Sequence, residues 1–328
     1  MSTVKWGIIG TGRIAHTFAD ALSECSGAEL YAVASRTEEK ARIFAEEHGC
    51  GLAFGSYQEL AECGDIDIVY IATPMASHFG DSMLCLENGR NVLCEKSVTL
   101  NSHELGILLE TAEKRGLLFM EAMWMKCQPA YLKAKEWVKN GRIGSVEYIK
   151  ADFSNIVPFD SKDRLFRADC GGGALLDLSV YPITLAEDFL SSHIKSITSY
   201  AHLRDGIDLS NSIILKSGTA YASINAGFEV ALRNNAVISG SDGSIVFGDW
   251  FHCSGTVTLY DSNRREAETF NNPDNVSGYT YEITEADSCL AEKLTDSRLI
   301  PHSRTMNVME IMDECRRQWG LVFPNEHK

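Results

Sequence analysis

Val4 to Ala15 reads VKWGIIGTGRIA. Val4, Trp6, Ile8 and Ile9 make a short apolar run that suits a buried strand. Gly10, Gly12 and Ala15 then fall in G-x-G-x-x-A spacing, and apolar residues resume with helical period at Ile14, Phe18, Ala21 and Leu22. A strand, a tight glycine turn and a helix start are what a dinucleotide pyrophosphate needs. Gly10 allows the turn, Gly12 lets the backbone approach the phosphates, and the small Ala15 lets helix and strand pack closely. The helix N-terminus faces the anion. Gly10, Thr11, Gly12, Arg13 and Ile14 are therefore the candidate contacts at this end of a cofactor. The same spacing also occurs in ordinary strand-to-helix turns, so its meaning depends on the chain downstream.

Downstream, strand and helix alternate without interruption for about a third of the chain. Leu30–Ala34, Ala53–Phe54, Ile66–Ala72, Asn91–Cys94 and Leu117–Met120 read as strands. Helices are expected over 37–48, 57–62, 75–87 and 101–115. Ser56 is a helix cap with Glu59 at the capping-box position. The run IDIVYIA is apolar nearly throughout, as a parallel strand covered on both faces should be. This predicts a doubly wound parallel sheet, the α/β Rossmann class, over residues 1–122.

In such a sheet ligands bind beyond the carboxyl ends of the strands. Ser35 and Arg36 come directly after the second strand, with Lys40 one helical turn on, where an NAD site usually carries an acidic residue for the ribose. A carboxylate repels a 2′-phosphate, whereas a serine, a guanidinium and an ammonium accept it. NADP is therefore preferred, with NAD possible; the other reading stacks Arg36 on adenine and leaves Lys40 solvated. Thr73, Pro74, Lys96 and Glu121 also lie at strand ends. Lys96 in that position can hold a substrate hydroxyl or shuttle its proton; it could equally be a structural or solvated lysine.

Composition narrows the class. At 328 residues the chain is long enough for two domains. The formal charge of −15 opposes general attraction to nucleic acid or anionic membrane. No apolar run reaches the roughly 18 residues of a membrane helix. The chain enters its first strand without a basic region or cleavable apolar segment, which points to the cytoplasm. The 10 cysteines show no C-x-x-C pair and read as reduced thiols, and the 9 histidines show no metal-ligand spacing, so no metal is expected.

Three further motifs carry a resemblance. V-L-C-E-K-S closes a strand, A-T-P precedes a histidine four residues beyond the proline, and E-A-x-W-x-K-x-x-P begins at Glu121. Together they resemble the Gfo/Idh/MocA oxidoreductases over essentially the whole chain. Met120–Trp124, with Gly171 to Asp177 and Tyr181, is most similar to the dimeric dihydrodiol dehydrogenase branch, which also holds NADP-dependent D-xylose dehydrogenases. Glu95-Lys96 matches the family's E-K-P signature, with Ser97 in place of proline, a change expected to loosen the backbone there. Met75 stands where the family often has asparagine. The resemblance implies cofactor contacts from Thr73, Pro74, His78, Glu95 and Lys96, and a catalytic pair of Lys96 and Tyr181 supported by Asp177.

The second domain, expected over 123–328, is α+β with a large, mostly antiparallel sheet. Pro129–Asn140 is a linking helix and Ser145–Phe153 alternates as a half-buried strand. The polar stretch Ser154–Cys170, with Phe159, Arg164, Phe166 and Arg167, is a substrate lid or a surface loop. Gly171-Gly172-Gly173 opens a helix in which Asp177 and Tyr181, four apart, share a face. Pro182 predicts a kink or break inside it. A tyrosine hydroxyl beside a lysine ammonium gives up its proton more readily. Read alone, though, a helical Asp and Tyr are structural; the family match gives them their role. From Ile194 the period is two, with strands at 194–203, 212–216, 219–228, 234–239, 244–247 and 256–260. Helices at 279–294 and 304–319 close the chain. Too few helices remain to cover both faces of the sheet, so a homodimer through the open face is expected.

The expected activity is NAD(P)-dependent hydride transfer at a secondary alcohol of a sugar, polyol or trans-dihydrodiol. Trp124, Phe159, Arg164 and Asp177 are the candidate substrate contacts. A non-catalytic NAD(P)-binding sensor on the same scaffold is the alternative.

Overall fold

The computed structural model describes residues 3–190, 193–273 and 276–327. The chain forms two compact units, Met1–Trp124 with Val276–His302 and His327–Lys328, and Met125–Asn275 with Ser303–Glu326.

The first unit is built on six strands: β1 (Val4–Ile9), β2 (Ala28–Ala34), β3 (Leu52–Phe54), β4 (Ile68–Ile71), β5 (Asn91–Glu95) and β6 (Phe119–Ala122). They lie in the order β3-β2-β1-β4-β5-β6, every neighbouring pair parallel. This is the doubly wound order, with its reversal point between β1 and β4. Between the strands run α1 (Arg13–Ser23), α2 (Glu38–His48), α3 (Tyr57–Glu62), α4 (His78–Glu87) and α5 (Ser102–Arg115). Their ends are set by local chemistry. Thr37, Ser56 and Asn101 accept from the backbone N–H groups of Lys40, Glu59 and Glu104, and Gly49 and Gly116 close α2 and α5 in the left-handed conformation. The expected helix at 75–87 is a 3₁₀ turn at Met75–Ser77 leading into α4. Trp6, Phe18, Tyr70 and Phe119 are fully buried, each side chain contributing roughly 1.5–3 kcal/mol through removal from water. The later helix α8 (Tyr279–Ala291) returns to this unit, where the Trp6 indole donates to Asp287 at 3.1 Å.

The second unit begins with α6 (Pro129–Lys139) and β7 (Val146–Ser154), followed by a segment containing 3₁₀ turns at Arg164–Phe166 and Ala168–Cys170. Next comes α7 (Val180–Phe189), preceded by a π-helical turn at Leu175–Ser179. The expected break at Pro182 is therefore a widened turn just ahead of it. Proline has no N–H for the carbonyl four residues back, and its ring crowds that carbonyl. The Val180 N–H accordingly donates to Leu175, five residues back.

The remaining strands are β8 (Ser196–Arg204), β9 (Ile207–Ser217), β10 (Ala220–Gly227), β11 (Ala236–Gly240), β12 (Gly243–Phe247), β13 (Thr256–Asp261) and β14 (Glu266–Asn271). With β7 they form an eight-stranded sheet in the order β14-β13-β12-β11-β7-β10-β9-β8, antiparallel except for the β7–β10 pair. Strand β14, a polar edge strand, goes beyond the periodicity reading because its charged and threonine side chains carry little apolar alternation. The helix α9 (His302–Trp319) completes the chain. One sheet face buries Ile149, Ile213, Ala222, Ile224, Ile238 and Ile245, whereas Tyr200, Ile214 and Tyr221 are exposed.

Candidate active site

The glycine turn after β1 has the shape the spacing predicts. Gly10 sits at φ +100°, and a Cβ there would stand 2.8 Å from the Ala72 carbonyl oxygen. Only glycine fits. Gly12, by contrast, is extended, and a Cβ on it would meet nothing within 4 Å. Gly12 is the N-cap of α1, so no side chain caps the first backbone N–H groups of the helix. That cradle fits a dinucleotide pyrophosphate. The Thr11 and Ser35 hydroxyls meet at 3.1 Å, tying the turn to the end of β2. Ser35 is buried, and Arg36 and Lys40 are exposed beside it; Glu38 and Glu39 occupy the first turn of α2. Arg13 is exposed, Ile14 is half-buried, and Ala15 is fully buried against the sheet.

A second constellation holds the ends of β4 and β5. His78 is 2 % exposed, and its Nδ1 and Nε2 lie 2.9 Å from the carbonyl oxygens of Ser97 and Thr73. Carbonyl oxygens only accept, so whichever ring nitrogen carries a proton donates to the carbonyl facing it. The imidazole thus clips the turn after β4 to the backbone just beyond Lys96. The Thr73 hydroxyl donates to Asp81 at 2.6 Å, and burial raises the Asp81 carboxyl while that bond opposes the rise. Pro74 is exposed. Tyr70, stacked on Phe18 of α1 at 3.6 Å, donates to one oxygen of Glu95; the other accepts from the Lys96 N–H at 3.2 Å. Burial, then the Glu95 charge, pushes the Tyr70 hydroxyl well above its ordinary range, so it stays a donor. Ser97, which stands in place of the family's proline, is fully buried, and its carbonyl oxygen lies against His78 Nδ1.

Within the same unit Trp124 stacks on Tyr279 at 4.7 Å with planes 6° apart. Glu282, on α8, is fully buried with neither carboxylate oxygen hydrogen-bonded among the described residues. Burial, then the neighbouring Glu95 and Glu121, raises its carboxyl well above the usual range. Sequence reasoning did not single out Tyr70, Asp81, Tyr279 or Glu282. Tyr70 lies hidden in an apolar strand run, and Glu282 is far along the chain from Glu95 and Glu121, so no local spacing points to either.

In the second unit Tyr181 is 6 % exposed in an aromatic group with Phe153 at 5.4 Å and His252 at 5.0 Å. Trp250 joins this group through Phe153 and is half exposed. Asp177 is half-buried on the π turn. Phe159 belongs to a different aromatic group, packed on Phe166 at 4.9 Å with the Arg204 guanidinium 3.6 Å over its ring. Arg164 is exposed and opens a 3₁₀ turn capped by Asp163.

Two of the three glycines ahead of Asp177, Gly172 and Gly173, serve packing. A Cβ on Gly172 would stand 2.6 Å from the Leu165 oxygen, and one on Gly173, at φ +121°, 2.5 Å from Asp208 Oδ1. Asp208 accepts from Asn211 at 2.8 Å, and Asn211 in turn accepts from Ser179 at 2.9 Å. Burial raises the Asp208 carboxyl to about 6.

Comparison with known proteins accords with this geometry. The family model described as the oxidoreductase family with NAD-binding Rossmann fold matches residues 4–123, and the Gfo/Idh/MocA C-terminal domain model matches 131–246. A trans-1,2-dihydrobenzene-1,2-diol dehydrogenase from Xenopus laevis is 34 % identical, over 98 % of this chain and 99 % of its own. The crystal structure of a 3-ketoreductase from Actinomadura kijaniata in complex with NADP is 27 % identical with a TM-score of 0.85, covering 96 % of this chain and 98 % of that one. A levoglucosan dehydrogenase in complex with NADH shares the fold at a TM-score of 0.85 and 19 % identity, covering 97 % of this chain and 98 % of that one. The non-catalytic reading finds no support among them. With both of its domain models matched in order along the chain, the protein belongs to the Gfo/Idh/MocA family of NAD(P)-binding oxidoreductases.

Proposed function

We propose that the protein is an NADP-preferring dehydrogenase acting on a secondary alcohol of a trans-dihydrodiol, sugar or polyol. The observation that carries this reading is the fixed strand end at Lys96, gripped through Glu95 by Tyr70 and through the next peptide by His78. These contacts fix the backbone from which the Lys96 side chain projects, which supports a role for it at a substrate hydroxyl. In the proposed reaction Tyr181 accepts the hydroxyl proton, Lys96 assists it, and Asp177 orients the hydroxyl. The bound nicotinamide supplies the hydride acceptor. Trp124, Phe159 and Arg164 contribute substrate contacts. Residues 1–122 serve the cofactor and 123–328 the substrate. The dihydrodiol class is favoured by the 34 % identity to the Xenopus enzyme.

The NADP preference rests on Ser35 and on the exposed cations Arg36 and Lys40 directly after β2. Glu38 and Glu39 in the first turn of α2 favour the competing NAD reading, since a carboxylate accepts from a ribose hydroxyl. The open sheet face supports a homodimer: Tyr148 and Tyr221 pack together at 4.9 Å there, and Tyr200 and Ile214 lie exposed. No helix of the described residues is long and apolar enough to cross a membrane, and a cytoplasmic location is the simplest setting for ten free cysteines.

The direct test is a screen of NADP reduction across trans-dihydrodiols, aldoses including D-xylose, and polyols. Tyr181→Phe and Lys96→Met should each cost about 10²–10⁴-fold in turnover, the span of general acid–base catalysis, while fluorescence titration still shows cofactor binding. Full activity in both variants would remove the assignment.

A further inference from the structure

We propose that His16, Glu47 and His48 form a divalent transition-metal site between the first two helices of the nucleotide-binding unit. Neither Glu47 nor His48 has a ligand-like sequence spacing to His16, but the packing of α1 against the end of α2 brings them together. Their ligand atoms lie within 4.8 Å of one another. His16 Nδ1 and His48 Nε2 face each other at 2.8 Å, and Glu47 Oε2 stands 3.6 Å from the same His16 nitrogen.

The geometry is close to what a metal requires. Two imidazole nitrogens each about 2.1 Å from a tetrahedral zinc ion stand about 3.4 Å apart. The Glu47–His16 edge is already near that length, and the two imidazoles must part by about 0.6 Å, a small side-chain rotation. In the metal-free arrangement one imidazole N–H points at the other ring's lone pair, so a single proton occupies the place between them. A metal ion replaces that proton and joins both lone pairs.

The surroundings favour this exchange. Asp20 Oδ1 lies 3.3 Å from His48 Nδ1, where it directs that ring's N–H away and leaves Nε2 as the ligating nitrogen. Carboxylate–histidine–metal chains are built this way. The Phe44 ring packs against His16 at 4.6 Å and His48 at 4.5 Å, limiting their rotation. The cleft is lined by Arg13, His16, Thr17, Asp20, Glu47 and His48. Its two carboxylates outnumber its one guanidinium, leaving a net attraction for a cation while the histidines are neutral. Two imidazoles and a carboxylate suit zinc, cobalt, nickel or copper rather than magnesium or calcium. The ion would pin α1, the helix directly after the glycine turn, to α2.

The test uses the whole chain after treatment with a chelator. Zn²⁺ is titrated by calorimetry, and Co²⁺ is followed by its visible absorption. One equivalent of Zn²⁺ should bind and raise the melting temperature, and Co²⁺ should give a tetrahedral spectrum without a thiolate band. His16→Gln and His48→Gln should each weaken Zn²⁺ at least about tenfold, and Asp20→Asn about tenfold as a residue acting through His48. Dehydrogenase turnover without added metal should stay unchanged in all three, showing that they are folded. No uptake below millimolar Zn²⁺, equal affinity in wild type and His48→Gln, or a thiolate–cobalt band would each overturn the proposal.

Discussion

The molecule has two glycine clusters ahead of helices, and they do opposite things. At Gly10–Gly12 one glycine makes room for the protein and the other faces open space. Gly10 clears the Ala72 carbonyl, whereas a Cβ on Gly12 would touch nothing. At Gly172 and Gly173 the available space is already filled by the chain itself, with the Leu165 oxygen 2.6 Å and Asp208 Oδ1 2.5 Å from the added carbons. Both clusters look alike as sequence, since each is a glycine run before an apolar helix. The two clusters differ in what surrounds the added carbons: open space at Gly12, and protein atoms at Gly172 and Gly173.

Substitutions separate the two. The largest effect on stability should come from Gly172→Ala and Gly173→Ala, each lowering it by about 3 kcal/mol, because the backbone oxygen and the Asp208 carboxylate cannot both move aside. Thermal denaturation measures this, and the folded fraction should bind cofactor normally. A Gly173→Ala protein that melts like wild type but loses its cofactor would reverse the contrast.

The next effect is in the pH dependence around Asp208. Its folded carboxyl is raised from 3.8 to about 6, so the unfolded chain releases this proton first. The stability associated with the protonated form is therefore present below pH 4 and lost as the pH rises through about 6. Asp208→Asn should remove that loss, on the order of 2 kcal/mol between pH 4 and pH 7 in the difference between wild type and variant. Denaturant melts at the two pH values would show it, and parallel curves for both proteins would mean that Asp208 ionises freely.

Gly12→Ala should behave as the mirror image of Gly173→Ala. Its extended backbone accepts any residue, so stability should change by no more than about 0.5 kcal/mol. Cofactor affinity should fall by about tenfold or more, since the methyl group occupies the space before the helix N-terminus. Arg36→Ala should have the smallest effect, weakening NADP by about tenfold at most and leaving NAD unchanged, read from the two dissociation constants. An NAD preference untouched by this substitution would remove the role given to Arg36.

Much of the first unit was legible because its signals are local. The strand runs at Val4–Ile9 and Ile68–Ile71 and the cap at Ser56 act within a few residues, whereas the caps at Thr37 and Asn101 and the stop at Gly49 emerge only in the structure. The π turn before Pro182 was only partly legible: proline announces a broken hydrogen-bond ladder but not how the neighbouring carbonyls find new partners. The charge-poor strands of the second sheet declared their period, whereas β14, with Glu266 and Glu268 along it, did not.

By itself the sequence determined the class of each region, the cofactor turn and the strand-end position of Lys96, since period, glycine spacing and capping are properties of neighbouring residues. Only the tertiary structure decided what the buried charges and rings do. It joined Tyr70 to Glu95 and His78 to Ser97 across 25 and 19 residues, and set Glu282 beside Glu95 and Glu121. It also faced His16 with His48 across 32 residues. These pairings depend on how helices and strands stack, and no local pattern in the chain encodes the distance between residues that meet only in the folded protein.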